Sequence, residues 1–162
     1  MALRLILLCC FFLGMQSCSS PPPTSVLVSI SGEQFNLEVV LDDATRANGM
    51  MGRTSFAVDG GMLFIFPKAE IRSFWMKNCL IDIDLIFLDS RGTITSLHEM
   101  SIEAPQENGE SDWAYEQRME HYFSYTPAHF AIELESGSIQ KLHLRVNDRI
   151  NLDLAYLKSL AR

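Results

Sequence analysis

The residues best suited to chemistry surround one tryptophan. Trp75 and Lys77 are two positions apart in an apolar segment, so on a strand their side chains leave the same face. An indole beside an ammonium group combines a flat apolar surface with a directed hydrogen-bond donor, and sugars, peptides and carboxylates can all use it. In the alternative interpretation Trp75 belongs to the core and Lys77 extends its amino group to water. The pattern is compatible with both.

Basic residues gather near this tryptophan although the chain as a whole is acidic. Its 162 residues include 13 Lys and Arg against 20 Asp and Glu, a net charge of −7. This balance argues against nucleic-acid binding, which needs cationic side chains against phosphates. We therefore expect an unknown small molecule, peptide or carbohydrate as the ligand. The candidate binding residues are Arg46, Arg53, Trp75, Lys77, Asn78 and Asp84.

A second hypothesis is an enzyme, best described as a hydrolase that uses Asp84 and His98 with an Arg or Lys as electrophile. Asp82 and Asp84 could also form an acid/base pair, since two carboxylates on one strand face would separate their pKa values. Pairing of these carboxylates with nearby cations is the alternative. The sequence contains no glycine-rich phosphate loop and no G-x-S-x-G motif. Because no nucleophile and base stand in a recognisable arrangement, the pattern favours a binding module.

Histidine and cysteine spacing predicts neither a metal site nor another cofactor. Zinc ligands usually stand at short local spacings, and the four histidines do not: His98, His121, His129 and His143. Cys79 is the one cysteine beyond residue 18, so it cannot form an internal disulfide in a processed chain. A free cysteine usually packs as a small apolar residue, which favours packing over a catalytic thiol.

Three motifs around these residues resemble one family. They read RANGMMGR at 46–53, GMLFIF at 61–66 and FWMKNC at 74–79, with Asp84 and Asp89 in register. Together they resemble the bacterial and archaeal family called domain of unknown function 192, from about residue 36 to residue 152. The departures from its pattern are Met50, Cys79 and Asn147. The resemblance implies a small, mainly β domain with short helices, and it implies no established activity and no catalytic residues.

Short strands are the elements that would position these residues. Alternating apolar residues predict an antiparallel hairpin over 26–41, and a short helix over 44–48 should end at Gly49. Further strands are predicted over 62–66, 71–77, 81–88, 93–98 and 130–134. The predicted fold is therefore mainly β, a small β-sandwich or a partly open β-barrel with two to three short helices.

Residues 100–126 are predicted to form a helical insertion in this domain. Ser111 can cap a helix, and a single stripe along it would contain Tyr115, Met119, Tyr122 and Phe123. We expect this stripe to pack on the domain, because an amphipathic helix normally buries its apolar side. The alternative is a lid or a surface for a partner.

The N-terminal residues predict export and a lipid anchor. Residues 1–17 combine Arg4 with an apolar run too short to cross a bilayer, as in a signal peptide. Cys18 follows a small residue at the end of this segment, which resembles the bacterial lipoprotein lipobox. Residues 18–25 are rich in proline and serine and would form an extended tether. In the alternative, ordinary cleavage near Ser17 would leave a soluble periplasmic or secreted protein.

These assignments divide the chain into a lipoprotein-like signal peptide, a tether, one domain and a short tail. The domain is predicted over 26–153 and the C-terminal tail over 154–162. A single domain of this length can bury enough surface to sustain its own core. We expect a monomer in the cell envelope, lipid-anchored to the outer membrane or at the periplasmic face. Its expected partners are that membrane, reached through the anchor, and the unknown small molecule or an envelope component.

Overall fold

A computed structural model describes residues 21–161 of the chain. The predicted signal peptide and the lipidation site at Cys18 lie outside the described residues. Among the described residues, no helix is both long and apolar enough to cross a membrane. The elements in chain order are β1 (Ser25–Ile30), β2 (Glu33–Val40), α1 (Asp43–Asn48), β3 (Gly60–Glu70), β4 (Ser73–Phe74), β5 (Ile83–Leu88), β6 (Ile94–Met100), α2 (Asp112–Arg118), β7 (Tyr122–Phe123), β8 (Ala128–Glu135), α3 (Ser138–Lys141) and α4 (Leu154–Leu160).

A six-stranded mixed sheet runs through the domain in the order β1-β2-β3-β8-β5-β6. The β1–β2 hairpin is antiparallel, as the alternation of apolar residues predicts, whereas β2 and β3 are parallel. A separate two-stranded sheet pairs β4 with β7. The mainly β fold class is confirmed. The described part of the chain contains four short helices rather than two or three.

Each face of the large sheet carries its own hydrophobic core. Alternate residues of β3 and β8, such as Leu63 and Ile132, pack on one face with side chains of α3 and α4. The other face combines Phe64, Phe87 and Ala131 with residues from the loops after α1 and β4. Since the central strands are covered on both sides, they are apolar on both sides, and a charged side chain within them is unusual.

The strand predicted over 71–77 is much shorter than expected. Only Ser73 and Phe74 form a ladder, because their partner β7 is itself two residues long. The chain then turns, with Cys79 N–H donating to the Met76 carbonyl at 3.1 Å and Asn78 in the left-handed region at φ 55°. Strand parity therefore does not hold beyond Phe74, and the strand alternation used to place Trp75 and Lys77 on one face does not apply.

The insertion at 100–126 is built into the fold. Ser111 caps α2 as predicted, with its Oγ accepting from the Ala114 N–H at 3.2 Å. Tyr115 and Met119 are buried, but the helix ends at Arg118 and the chain continues in an extended conformation into β7. The predicted stripe is therefore helical only in its first part, and Tyr122–Phe123 contribute a strand instead.

The C-terminal segment packs against the domain. Residues 154–160 form α4, and Leu157 is buried in the core shared with β3 and β8. Asp153 caps this helix, accepting from the Tyr156 N–H at 3.1 Å. The segment predicted as a tail thus contributes to the core.

Candidate functional site

A pocket of about 740 Å³ opens on the sheet face that carries Phe64 and Phe87. Its walls come from α1 and the following turn, from β3, from β4 and the segment after it, from the β7 region and from β8. The lining residues are Arg46, Ala47, Asn48, Gly49, Met50, Met51, Phe64, Phe66, Ile71, Arg72, Ser73, Phe74, Trp75, Cys79, His121, Phe123 and Glu133. Most of this surface is apolar, with a few charged groups that converge on it.

Aromatic rings in edge-to-face contact hold the pocket wall in place. The ring of Phe74 lies 4.9 Å from that of Phe64 and 5.4 Å from that of Phe87, at angles of 83° and 78°. Trp75 is half-buried, and its ring lies 5.5 Å from that of His121. The edge-to-face contacts of Phe74 fix its ring orientation, because the edge of one ring faces the electron-rich face of another. The pocket is therefore lined by preordered aromatic surfaces.

Trp75 and Lys77 are in contact, but only Trp75 lines the pocket. The Lys77 Nζ lies 5.4 Å from the Trp75 ring centroid and donates to Glu116 Oε1 of α2 at 2.5 Å. This hydrogen bond raises the pKa of Lys77. Lys77 thus joins the segment after β4 to the insertion, and its amino group is not directed into the pocket.

Two arginines lie against the ring of Phe66 in the pocket wall. Arg46, a predicted site residue, bonds through Nη1 to the carbonyls of Leu41 and Ile65 and through Nη2 to Asp43 Oδ1 at 2.7 Å. Arg72 lies closer to the ring, with its guanidinium carbon 4.2 Å from the Phe66 centroid against 5.6 Å for Arg46. Burial lowers the pKa of Arg72. The pair makes this wall cationic.

Arg72 is held by acceptors at the end of β3. Its Nη2 donates to the Lys68 carbonyl at 2.6 Å and lies 3.2 Å from Glu70 Oε2. Its Nε is buried and has no hydrogen-bond partner among the described residues. This buried N–H is therefore unused.

A buried glutamate that the sequence interpretation missed also lines the pocket. Glu133 lies in the middle of β8, with Met62 of β3 and Leu85 of β5 as its neighbours in register. The residue is only 5% exposed, and Oε2 has no hydrogen-bond partner within the described chain. Burial raises the pKa of Glu133 from 4.5 to about 8. The available signal was an acidic residue between two apolar residues, Ile132 and Leu134, of a largely apolar strand.

Gly49 and Cys79 lie near this carboxyl group. Gly49 has φ 43°, which favours glycine, and a Cβ built there would lie 3.9 Å from Glu133 Oε2. Burial, and secondarily the charge of Glu133, raise the pKa of the Cys79 thiol to about 11. Cys79 is therefore a protonated, partly buried thiol, consistent with the packing interpretation rather than with a nucleophile.

Arg53 and Asn78 lie outside the main pocket. Arg53 donates two hydrogen bonds to Glu38, at 2.8 and 2.9 Å, and lines a second cavity of about 440 Å³. Asn78 accepts from the Gly52 N–H through its carbonyl at 2.9 Å, and its N–H donates to Tyr115 Oη at 3.3 Å. Asn78 therefore ties the turn after α1 to α2.

Asp84 and His98 lie on opposite faces of the sheet. Asp84 is fully buried and accepts from the Ile139 N–H of α3 at 2.7 Å. His98 pairs with Leu85 rather than with Asp84. Its ring lies 5.8 Å from that of Phe87, on the sheet face that carries the pocket. The predicted Asp84–His98 pair is therefore not formed, and Asp84 orients no pocket cation. Among the described residues, no group of three or more metal-ligating side chains is present.

Comparisons with known proteins place the chain among relatives without an established activity. A family model named DUF192, with the description Uncharacterized ACR, matches residues 26–152. A solved structure of a candidate transcription regulator from Sinorhizobium meliloti is 31% identical, covering 77% of this chain and 88% of that protein with a TM-score of 0.59. A protein of unknown function from Novosphingobium aromaticivorans is 21% identical over 79% of this chain and 83% of its own, with a TM-score of 0.62, and shows the common fold. The search of curated proteins found no match.

Proposed function

The chain belongs to the family domain of unknown function 192, and we propose that it is a binding module for a small ligand with an apolar body. The observation that carries this proposal is the pocket of about 740 Å³ lined by Phe64, Phe66, Phe74 and Trp75. Ligand sites are typically concave, mostly apolar and supplied with a few polar groups that fix orientation. This pocket has that composition, with Glu133 and the arginines as its polar groups.

The aromatic contacts support binding of a flat ligand. Phe74 is held between Phe64 and Phe87, so it offers a fixed surface. Trp75 is half-buried and faces the pocket, which leaves part of its indole free to stack. Because these rings are already ordered, a ligand would lose little free energy to ordering them on binding.

One contact supports an enzyme as the second candidate. Ser73 Oγ and His121 Nδ1 lie 2.9 Å apart at the rim of the pocket, a distance suited to a nucleophile and its base. Catalytic pairs of this kind normally include a third group that orients the base. In the described part of the chain, no carboxylate bonds to His121, and both residues are exposed. Binding without chemistry is therefore the better supported function.

The location in the cell is also a proposal, and it rests on the N-terminal sequence. Cys18 would be acylated after removal of residues 1–17 and would anchor the domain in the cell envelope. The relative from Sinorhizobium meliloti is described as a candidate transcription regulator. We do not extend that role to this chain, since a net charge of −7 is unfavourable for a surface that meets phosphates.

A fragment screen by thermal shift tests the binding proposal. Ligands that bind only the folded state raise the melting temperature, so aromatic fragments should stabilise the purified protein. The screen is repeated on Trp75→Ala and on Trp113→Ala, a matched control because Trp113 is 72% exposed on α2 and does not line the pocket. We expect hits to be lost in the first variant and retained in the second.

Three results would count against this proposal. A library without any stabilising fragment would remove the support for a small-ligand site. Hits that survive Trp75→Ala with unchanged shifts would place the binding surface elsewhere. Hydrolysis of p-nitrophenyl acetate that Ser73→Ala abolishes would favour the enzyme instead.

A further inference from the structure

The carboxyl group of Glu133 has an unmet hydrogen-bonding capacity at the base of the pocket. Its Oε2 is buried and has no partner among the described residues, and the residue is 5% exposed. Leaving a buried acceptor without a partner is destabilising, and more so when the acceptor is charged. Because Glu133 also lines the pocket, a ligand bound there would lie beside its carboxyl group and is the available source of a donor.

The protein does not supply that donor from the charged groups nearby. Arg53 is the cation whose charge acts on Glu133, but its two terminal nitrogens donate to Glu38 instead. Cys79, a titratable group on which the charge of Glu133 acts, carries only a weakly donating thiol. The flanking strands present Met62 and Leu85, which have no donor in their side chains.

An ammonium group is the donor that this environment favours most. Hydrogen bonds between an ionised donor and a carboxylate are about twice as strong as those between neutral groups. Aromatic faces also attract a cation, and Phe64, Phe74 and Trp75 line the same pocket. A cationic group on an apolar or aromatic body would thus match both the base and the walls of the site.

The two arginines are less available to an anion than Glu133 is to a cation. Arg46 bonds to two backbone carbonyls and to Asp43, and Arg72 bonds to Lys68 and lies beside Glu70. One buried N–H, at Arg72 Nε, is unpaired within the described residues. An anion would therefore meet guanidinium groups that already bond to carbonyls and carboxylates, whereas an ammonium would meet a carboxyl group with an unused oxygen.

We propose that the pocket binds a primary amine with an aromatic or apolar body, with its ammonium group on Glu133. This inference rests on the proposed binding function and specifies its ligand class. When Glu133 is protonated before binding, the carboxyl proton passes to the buffer and the ammonium group replaces it. Binding should therefore tighten as pH rises toward the range in which Glu133 ionises.

The experiment compares three probes that share a benzyl or phenyl group and differ in charge. Benzylamine is cationic, benzyl alcohol is neutral and benzoate is anionic, and each is titrated into the purified protein with NMR chemical shifts as the readout. At about pH 7.5 we expect benzylamine to bind about tenfold more tightly than either other probe, as a charge-assisted bond predicts. Between about pH 6 and 7, the affinity for benzylamine should rise up to about tenfold. Each pH unit below the Glu133 pKa lowers the ionised fraction of Glu133 about tenfold.

Glu133→Gln tests the assigned residue, with Glu135→Gln as the matched control at the exposed end of the same strand. The first variant should reduce the preference for benzylamine over benzyl alcohol to within about twofold and remove the pH dependence. The second should preserve both. The pH dependence in the unaltered protein is an independent measurement should Glu133→Gln fail to fold.

The outcomes separate this inference from the binding function itself. Preferential binding of benzoate would overturn the amine assignment and move the anchor to the arginines, while the pocket would stand as a ligand site. Equal affinity for all three probes would overturn the role of Glu133 in the same way. Absence of binding by any of the three would overturn the amine assignment, and the fragment screen with Trp75→Ala would then decide the binding function separately.

Discussion

Arg53 donates two parallel hydrogen bonds to Glu38, at 2.8 and 2.9 Å, and in doing so leaves Glu133 without a bonded cation. The bonds lower the pKa of Glu38 and raise that of Arg53. Both side chains are about half exposed, so the pair contributes little to stability. Its consequence is electrostatic, because Glu38 neutralises Arg53, the cation among the described residues that acts on the pocket carboxyl group.

Glu38→Gln should therefore lower the pKa of Glu133. With the carboxylate of Glu38 removed, the positive charge of Arg53 acts on Glu133 without compensation, which favours the ionised form. The free energy of unfolding should fall by no more than about 1 kcal/mol, as expected for an exposed pair. Side-chain NMR titration of Glu133 in both proteins measures the shift. An unchanged titration midpoint would show that Arg53 does not act on this carboxyl group.

The stability of the protein should fall as pH rises from about 5 to about 8. The pKa of Glu133 is raised from 4.5 to about 8 by burial, so the folded state holds a proton that the unfolded chain releases. This stabilising contribution is complete below the pKa of Glu133 in the unfolded chain. It is lost as pH rises through the pKa of Glu133 in the folded state. Within this window, Glu133 alone would change the free energy of unfolding by at most about 1.4 kcal/mol per pH unit.

Glu133→Gln should flatten that dependence, since glutamine mimics the protonated carboxyl group and does not titrate. Denaturant unfolding at several pH values measures it, and Glu135→Gln is the control that should follow the unaltered protein. A wild-type profile that is already flat between about pH 5 and 8 would contradict a buried carboxyl group with a raised pKa.

Replacing residues 101–126 by a short Gly/Ser loop should destabilise the domain substantially. The change removes the buried Tyr115 side chain, the β7 partner of β4 and Ser124. Ser124 exchanges two hydrogen bonds with the backbone of Arg72, each of 2.9 Å. Loss of one buried aromatic side chain alone costs about 3–5 kcal/mol. A cooperative melt at nearly the original temperature would instead show that the insertion is an addition to a complete core.

Cys18→Ser should release the protein from the membrane fraction or halt its processing. The apolar segment before Cys18 and the proline-rich residues after it predict lipidation at this cysteine. Stable anchoring needs more than one acyl chain, and these chains would be attached through Cys18. Fractionation and intact-mass spectrometry of both proteins measure it. Equal membrane retention and equal mass would contradict lipidation at this residue.

Local sequence determined the elements that depend on near neighbours. The β1–β2 hairpin follows from alternation around Ser31-Gly32, and the starts of α1 and α2 follow from Asp42 and Ser111, whose side chains bond to N–H groups three residues ahead. The mainly β fold class was predictable for the same reason. Each of these features is decided by contacts within a few residues, which a single sequence displays.

The site was decided by contacts between distant segments. Trp75 faces the pocket together with Phe74 because β4 has only a two-residue partner, and Lys77 points away because Glu116, 39 positions later, accepts its hydrogen bond. Glu133 lies at the pocket base because β8 is inserted between β3 and β5, which buries it among strands far apart in sequence. Strand order is set by the packing of whole faces rather than by neighbouring residues, so only the tertiary structure could bring this carboxyl group beneath the aromatic wall.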